Sequence, residues 1–161
     1  MMKRTAPGAY PLADGSCRFI VWAPRARRVE VRLHAPRRER VALQRREHGY
    51  HIGAVRDVRE GARYTYVLDE QAEHPDPASR YQPEGVHGTS EVCGLDYSWS
   101  DTNWHGLPLQ DYIIYELHVG TFTEEGTFRG AIERLGELSA LGVTAVELMP
   151  VAQSPGRWNW G

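Results

Sequence analysis

The sequence predicts an antiparallel β-sandwich followed by a βαβ unit that opens a larger α/β domain. Three observations carry this. Between Cys17 and Leu68, apolar residues recur with a period of two, in short runs spaced roughly ten residues apart, as sandwich strands do. Residues 74–88 (HPDPASRYQPEGVHG) carry three prolines and two glycines and no apolar period. Residues 111–150 then change register to an apolar run, a polar turn, a helical stripe and a second apolar run.

In chain order, residues 17–22 read as a strand ended by Ala23-Pro24. In residues 29–33, Val29, Val31 and Leu33 point one way, and Glu30 and Arg32 the other. Val41 and Leu43 repeat the alternation after the break at Pro36. Residues 50–54 form the next strand after His48-Gly49, and residues 64–68 follow Glu60-Gly61. Tyr50, Tyr64 and Tyr66 most simply fill the core. Trp22 is assigned there too, with a sugar-stacking platform as the alternative. Residues 74–108 are a long segment of little regular structure, the kind that is functional or packs as an ordered bridge, with Trp99 and Trp104 as its anchors.

Residues 112–122 are rich in β-branched and aromatic residues, which suits a strand buried on both faces. Thr127 stands at a helix N-cap. Ala131, Ile132, Leu135, Leu138 and Leu141 follow at helical spacing, and Gly142 is placed to end the helix in a left-handed cap. Residues 143–149 form the second strand, stopped by Pro150. Strand, helix and strand with short connections make a right-handed crossover between parallel strands. Two parallel strands and one helix cannot bury both faces of a sheet, so further layers of an α/β domain are expected.

The chain has 161 residues, 19 Lys and Arg, 21 Asp and Glu and a net charge of −2, a balance that draws it to neither nucleic acid nor membrane. Lys3 is its only lysine. The basic run at residues 37–46 is broken by Glu39, Val41 and Leu43, as a solvated strand face would be. No signal peptide or membrane span is visible, and a cytoplasmic location is expected. Cys17 and Cys93 are then expected as two thiols. No His/Cys/Asp cluster has ligand spacing, and no phosphate loop is present, so neither metal nor cofactor is expected.

Residues 19–24 (FIVWAP), the Gly-Tyr at 49–50 and residues 61–66 (GARYTY) resemble the N-terminal, immunoglobulin-like sandwich of α-amylase-family enzymes, itself similar to a carbohydrate-binding module. Residues 115–122 (YELHVGTF) and 142–151 (GVTAVELMPV) resemble strands one and two of that family's (β/α)8 barrel. Residues 75–88 (PDPASRYQPEGVHG) and 151–161 (VAQSPGRWNWG) are similar to its malto-oligosyltrehalose trehalohydrolase branch. Ser154 departs from that pattern, which carries a bulkier aromatic there. The resemblance implies a sandwich over residues 1–95, a linker over 96–111 and the start of a truncated (β/α)8 barrel over 112–161.

It further implies that the parent hydrolyses the α-1,4 bond next to the terminal trehalose of malto-oligosyltrehalose with retention. That chemistry needs a carboxylate pair about 5–5.5 Å apart. In the family those carboxylates follow barrel strands four, five and seven, so no catalytic residue is expected here and the chain alone should be inactive. A stand-alone α-glucan-binding sandwich, or part of a branching or debranching enzyme, is the alternative. Glu116 and Glu147 lie on neighbouring strands, but active groups of such barrels come from the strands' C-terminal ends and following loops. Both are expected to be hydrogen-bonded structural groups, and His118 a satisfied core group. Asn159 and Trp160 are the candidates for bordering the sugar site, where aromatic faces stack on pyranose rings. With no cluster of Trp in evidence on the sandwich, weak or absent glucan binding is expected of it. Uncovered strand edges and the apolar residues Ile113, Ile114, Val119, Val146 and Met149 predict self-association through the βαβ segment.

Overall fold

The computed structural model describes residues 6–94 and 97–152, which fall into two compact units divided between Tyr97 and Ser98. The first unit holds strands β1 (Gly8–Pro11), β2 (Cys17–Trp22), β3 (Val29–Ala35), β4 (Glu39–Ala42), β5 (Gln44–Arg45), β6 (Tyr50–Val55), β7 (Arg63–Leu68), β8 (Ala72–His74) and β9 (Ser90–Glu91). One antiparallel sheet runs β1-β2-β6-β5. The other runs β4-β3-β7-β8, with β9 also paired to β7. The chain changes sheets at Leu43: β4 pairs with β3, β5 pairs with β6, and the Leu43 N–H between them bonds the Val29 carbonyl at 2.8 Å.

The alternation decides what is buried. Cys17, Phe19 and Val21 of β2 and Val29, Val31 and Leu33 of β3 all join the core. Tyr64 and Tyr66 do likewise, with the Phe19–Tyr64 and Tyr64–Tyr66 rings edge-on at 4.9 and 5.8 Å. Glu30, read as outward-facing, is buried as well, held by Arg28 Nη2 at 2.9 Å. Trp22 corrects the core assignment: it is 55% exposed. The reason lies in the same alternation, since Cys17, Phe19 and Val21 face inward and Trp22 must face out. Tyr50, its register partner on β6, is only half-buried.

The segment with no periodicity is ordered by polar contacts. Asp76 is buried. Its Oδ2 accepts from the Tyr64 hydroxyl at 2.7 Å, its Oδ1 accepts from the Ala78 N–H at 2.8 Å, and its own N–H donates to Ser90 Oγ at 2.9 Å. Burial raises the Asp76 carboxyl above its ordinary range, against the pull of the Tyr64 hydroxyl. Arg80 reaches the Ala9 carbonyl at 3.0 Å and stacks over Tyr10, 4.8 Å from the ring centre. Both cysteines are free thiols, and burial pushes Cys17 up to about 12.

The second unit is a parallel pair, β10 (Ile114–Leu117) and β11 (Ala145–Leu148), joined through α1 (Val119–Phe122) and α2 (Phe128–Leu141). Thr127 caps α2 by accepting from the Gly130 N–H at 3.1 Å, and Gly142 closes it at φ 97°. The first strand is shorter than its composition predicts. It ends at Leu117, and the chain turns at His118, whose carbonyl accepts from the N–H groups of Thr121 and Phe122. Gly120 lies in that turn, where the apolar run alone gives no warning. The helical stripe is only partly covered: Ala131 and Leu138 are buried, whereas Ile132, Leu135 and Leu141 are exposed. Leu138 packs with Leu117 and Val119, so Val119 is covered, while Ile113 and Ile114 are each 58% exposed. No described helix is long and apolar enough to cross a membrane.

His51 sets a pH limit on the sandwich. It is fully buried, and neither ring nitrogen has a hydrogen-bond partner among the described residues. Desolvation lowers its pKa below 6.5, aided by Arg45 and opposed by Asp69 and backbone groups. Above about pH 6.5 the ring is neutral in folded and unfolded chains alike. Below it the unfolded chain takes up a proton that the folded core refuses, so stability falls as pH falls. Urea midpoints measured from about pH 7 down to about pH 5 should decline, and His51→Gln should flatten that decline. An unchanged slope in the variant would assign the decline to other groups.

Candidate functional site

No catalytic constellation is found among the described residues. Glu116 and Glu147 are Cα partners on β10 and β11, so their carboxylates share one side of the strand pair. Both are exposed, which corrects the expectation of internal hydrogen-bonded groups. Each is the next-to-last residue of its four-residue strand, nearer the C-terminal end than the sequence reading placed it, and neither lies in the loop that follows. His118 is likewise no core group of a strand. It sits at the strand's end, with Nδ1 3.4 Å from Thr121 Oγ1. Trp99 and Trp104, read as anchors, are exposed. Asn159 and Trp160 lie outside the described residues. No group of three His, Cys, Asp or Glu able to hold a metal ion exists among the described residues.

The chemistry-bearing surface that the structure does present is aromatic, on the outer face of the β1-β2-β6-β5 sheet. Trp22 and Tyr50 are register partners at one end of β2 and β6, so their side chains leave the same face of the sheet. The Trp22 indole N–H donates to the His48 carbonyl at 2.9 Å, which fixes the ring. The turn beneath is built tightly. His48 adopts φ 56° and Gly49 φ 81°, and a Cβ on Gly49 would lie 2.5 Å from Pro24 Cα. On the same face Ile52 pairs with Gln44, which is exposed. By contrast, the shallow cleft beside Arg27, Arg28, Asp69 and Glu70 is closed on itself. Asp69 Oδ1 accepts from both arginine N–H groups, and Arg28 bridges Glu30 and Glu70.

Known proteins place this architecture in two steps. Residues 7–82, the strands of the first unit up to the connecting segment, match the family model of carbohydrate-binding module 48, the isoamylase N-terminal domain. The chain as a whole is homologous to malto-oligosyltrehalose trehalohydrolases. It is 48% identical over 152 residues to that of Saccharolobus solfataricus, covering 94% of this chain and 27% of the relative. It is 44% identical over 160 residues to that of Deinococcus radiodurans, covering 98% and 26%. A crystal structure of a putative α-amylase from Salmonella typhimurium superposes with a TM-score of 0.84 at 40% identity, over 97% of this chain and 26% of that one. The chain thus spans about a quarter of the length of these relatives.

Proposed function

We propose that the chain forms the sandwich and the first barrel unit of a malto-oligosyltrehalose trehalohydrolase. The observation that carries this is the 48% identity running through nearly the whole chain, across sandwich, connecting segment and βαβ unit together. In this reading residues 1–95 are the carbohydrate-binding-module-like sandwich, 96–111 the linker and 112–161 the start of a (β/α)8 barrel. The parent enzyme hydrolyses the α-1,4 bond next to the terminal trehalose of a malto-oligosyltrehalose and releases trehalose. Retention at the anomeric carbon requires a nucleophile and an acid/base carboxylate about 5–5.5 Å apart at the mouth of the closed barrel. β10 and β11 supply two of eight strands and, in this reading, neither carboxylate. Their role is to seed the barrel, with Asn159 and Trp160 in the loop after the second strand bordering the sugar site.

The purified 161-residue chain should therefore release no trehalose from maltotriosyltrehalose. A chimaera in which it replaces the homologous 152 residues of the Saccharolobus solfataricus enzyme should release it. Release by the chain alone, or a folded chimaera without activity, contradicts the reading.

The same reading has a physical corollary for the chain in isolation. Ile113, Ile114 and Leu148 are exposed, and β10 and β11 form a two-stranded sheet. Open edges and apolar surface of this kind recruit further strands. The 161-residue chain is proposed to self-associate through this segment, and a chain ending before Asp111 to be monomeric. Light scattering on both chains tests this. A monomeric full chain, or a shortened chain that still associates, refutes it.

A further inference from the structure

We propose that His118 contacts the sugar, its Nε2 meeting a hydroxyl of the α-glucan at the mouth of the barrel. The assignment rests on the reading above, that β10 and β11 are the first strands of a (β/α)8 barrel, and adds to it a residue at the end of the first strand. Three observations converge. First, the position is right. Leu117 packs against Leu138 of α2. His118 follows with extended backbone, at φ −98° and ψ 113°, so its side chain leaves the opposite face, the one that carries Glu116. Helices form the outer ring of such a barrel, which makes the face away from α2 the interior. β10 ends at Leu117, so His118 is the first residue past the strand's C-terminal end, where barrel sites are built.

Second, the residue is held in place. Its carbonyl accepts from the N–H groups of Thr121 and Phe122 at 3.1 and 3.0 Å. The ring folds over the start of the loop, where a Cβ on Gly120 would lie 3.0 Å from its Cε1. Gly126 closes that loop at φ 62°, so near the Gly120 carbonyl that a Cβ would stand 2.9 Å from its oxygen. A group fixed in this way loses little freedom when a ligand binds.

Third, the free valence suits a neutral hydroxyl. Nδ1 is 3.4 Å from Thr121 Oγ1, whereas Nε2 has no hydrogen-bond partner among the described residues. The Thr121 hydroxyl also reaches the His118 carbonyl at 3.4 Å. Donating there, it accepts from Nδ1–H and leaves Nε2 an acceptor; donating to Nδ1, it leaves the proton on Nε2. A sugar hydroxyl both donates and accepts, and satisfies Nε2 in either case. Glu116 on the same face disfavours an anion. No group of three His, Cys, Asp or Glu able to hold a metal ion exists among the described residues.

The test uses the chimaera described above, assayed on maltotriosyltrehalose. His118→Ala should raise KM about three- to tenfold, as expected for one neutral hydrogen bond to the sugar, with kcat and the thermal midpoint unchanged. His118→Phe keeps a ring over Gly120 without its nitrogens and should lose as much. His118→Gln carries an amide that can meet the same hydroxyl and should recover part of the loss. If His118→Ala does not fold, the other two variants decide. The proposal is overturned if the folded variants keep the unsubstituted KM, or if the loss falls on kcat or the thermal midpoint with KM intact, as a merely structural role would give. Failure of all three to fold would assign His118 to folding and overturn it as well. An inactive folded chimaera ends the trehalohydrolase reading and this proposal with it, whereas an active chimaera indifferent to His118 ends this proposal alone.

Discussion

The sandwich depends on one buried carboxylate. Asp76 accepts from Tyr64, whose ring is at the centre of the aromatic core, and its backbone is tied to Ser90 on the last strand of the unit. A carboxylate in that position is expensive unless its oxygens are occupied, and here both are. The consequence is topological. A proline-rich segment with no apolar period, unable to fold by burial, is fastened at its start to one core strand and at its end to the same sheet. Arg80, four residues on, then lies over Tyr10 and bonds Ala9, so the segment also shields the first strand. The order of the segment comes from polar geometry and not from a hydrophobic face.

The second unit is governed by the opposite condition. Its backbone is well specified, since caps, register and connection lengths agree with one another. What it lacks is area. A two-stranded sheet and one long helix bury Leu117, Val119, Ala131 and Leu138 and leave most of the helical stripe in water. Under the proposed reading, pattern and burial diverge there because the apolar pattern serves a larger domain. The relatives, of which this chain spans about a quarter, are long enough to supply one.

How much of this was legible in the sequence follows from the same contrast. Strands with period two were readable almost to the residue, as at Cys17–Trp22, because alternation records a one-sided core. The caps at Thr127 and Gly142 were readable because each serves a defined backbone need. Trp22 was misassigned by treating a large aromatic as core by default, although its own strand's alternation puts it outside. Asp76 was hidden, since nothing local distinguishes a buried Asp-Pro from a turn. The short strands β8 and β9 were hidden with it, being only three and two residues long. Glu116 and Glu147 were set aside as catalysts on a mid-strand placement that the short strands do not bear out, and their exposure was not foreseen, because a strand read as buried on both faces implies neighbours. Asn159 and Trp160 rest on resemblance alone.

The account's central claim is that a sandwich stable in itself carries a βαβ unit whose stability waits on further layers. Native-state hydrogen exchange on the 161-residue chain tests it most directly. The amides of β2, β3, β6 and β7, together with the Gly61 and Val92 amides that tie the connecting segment to the sandwich, should share one high opening free energy. The amides of α2 should exchange through a separate, cheaper opening that leaves the sandwich protected. A single common opening free energy for both sets would contradict the account and make the βαβ unit an integral layer of one cooperative fold.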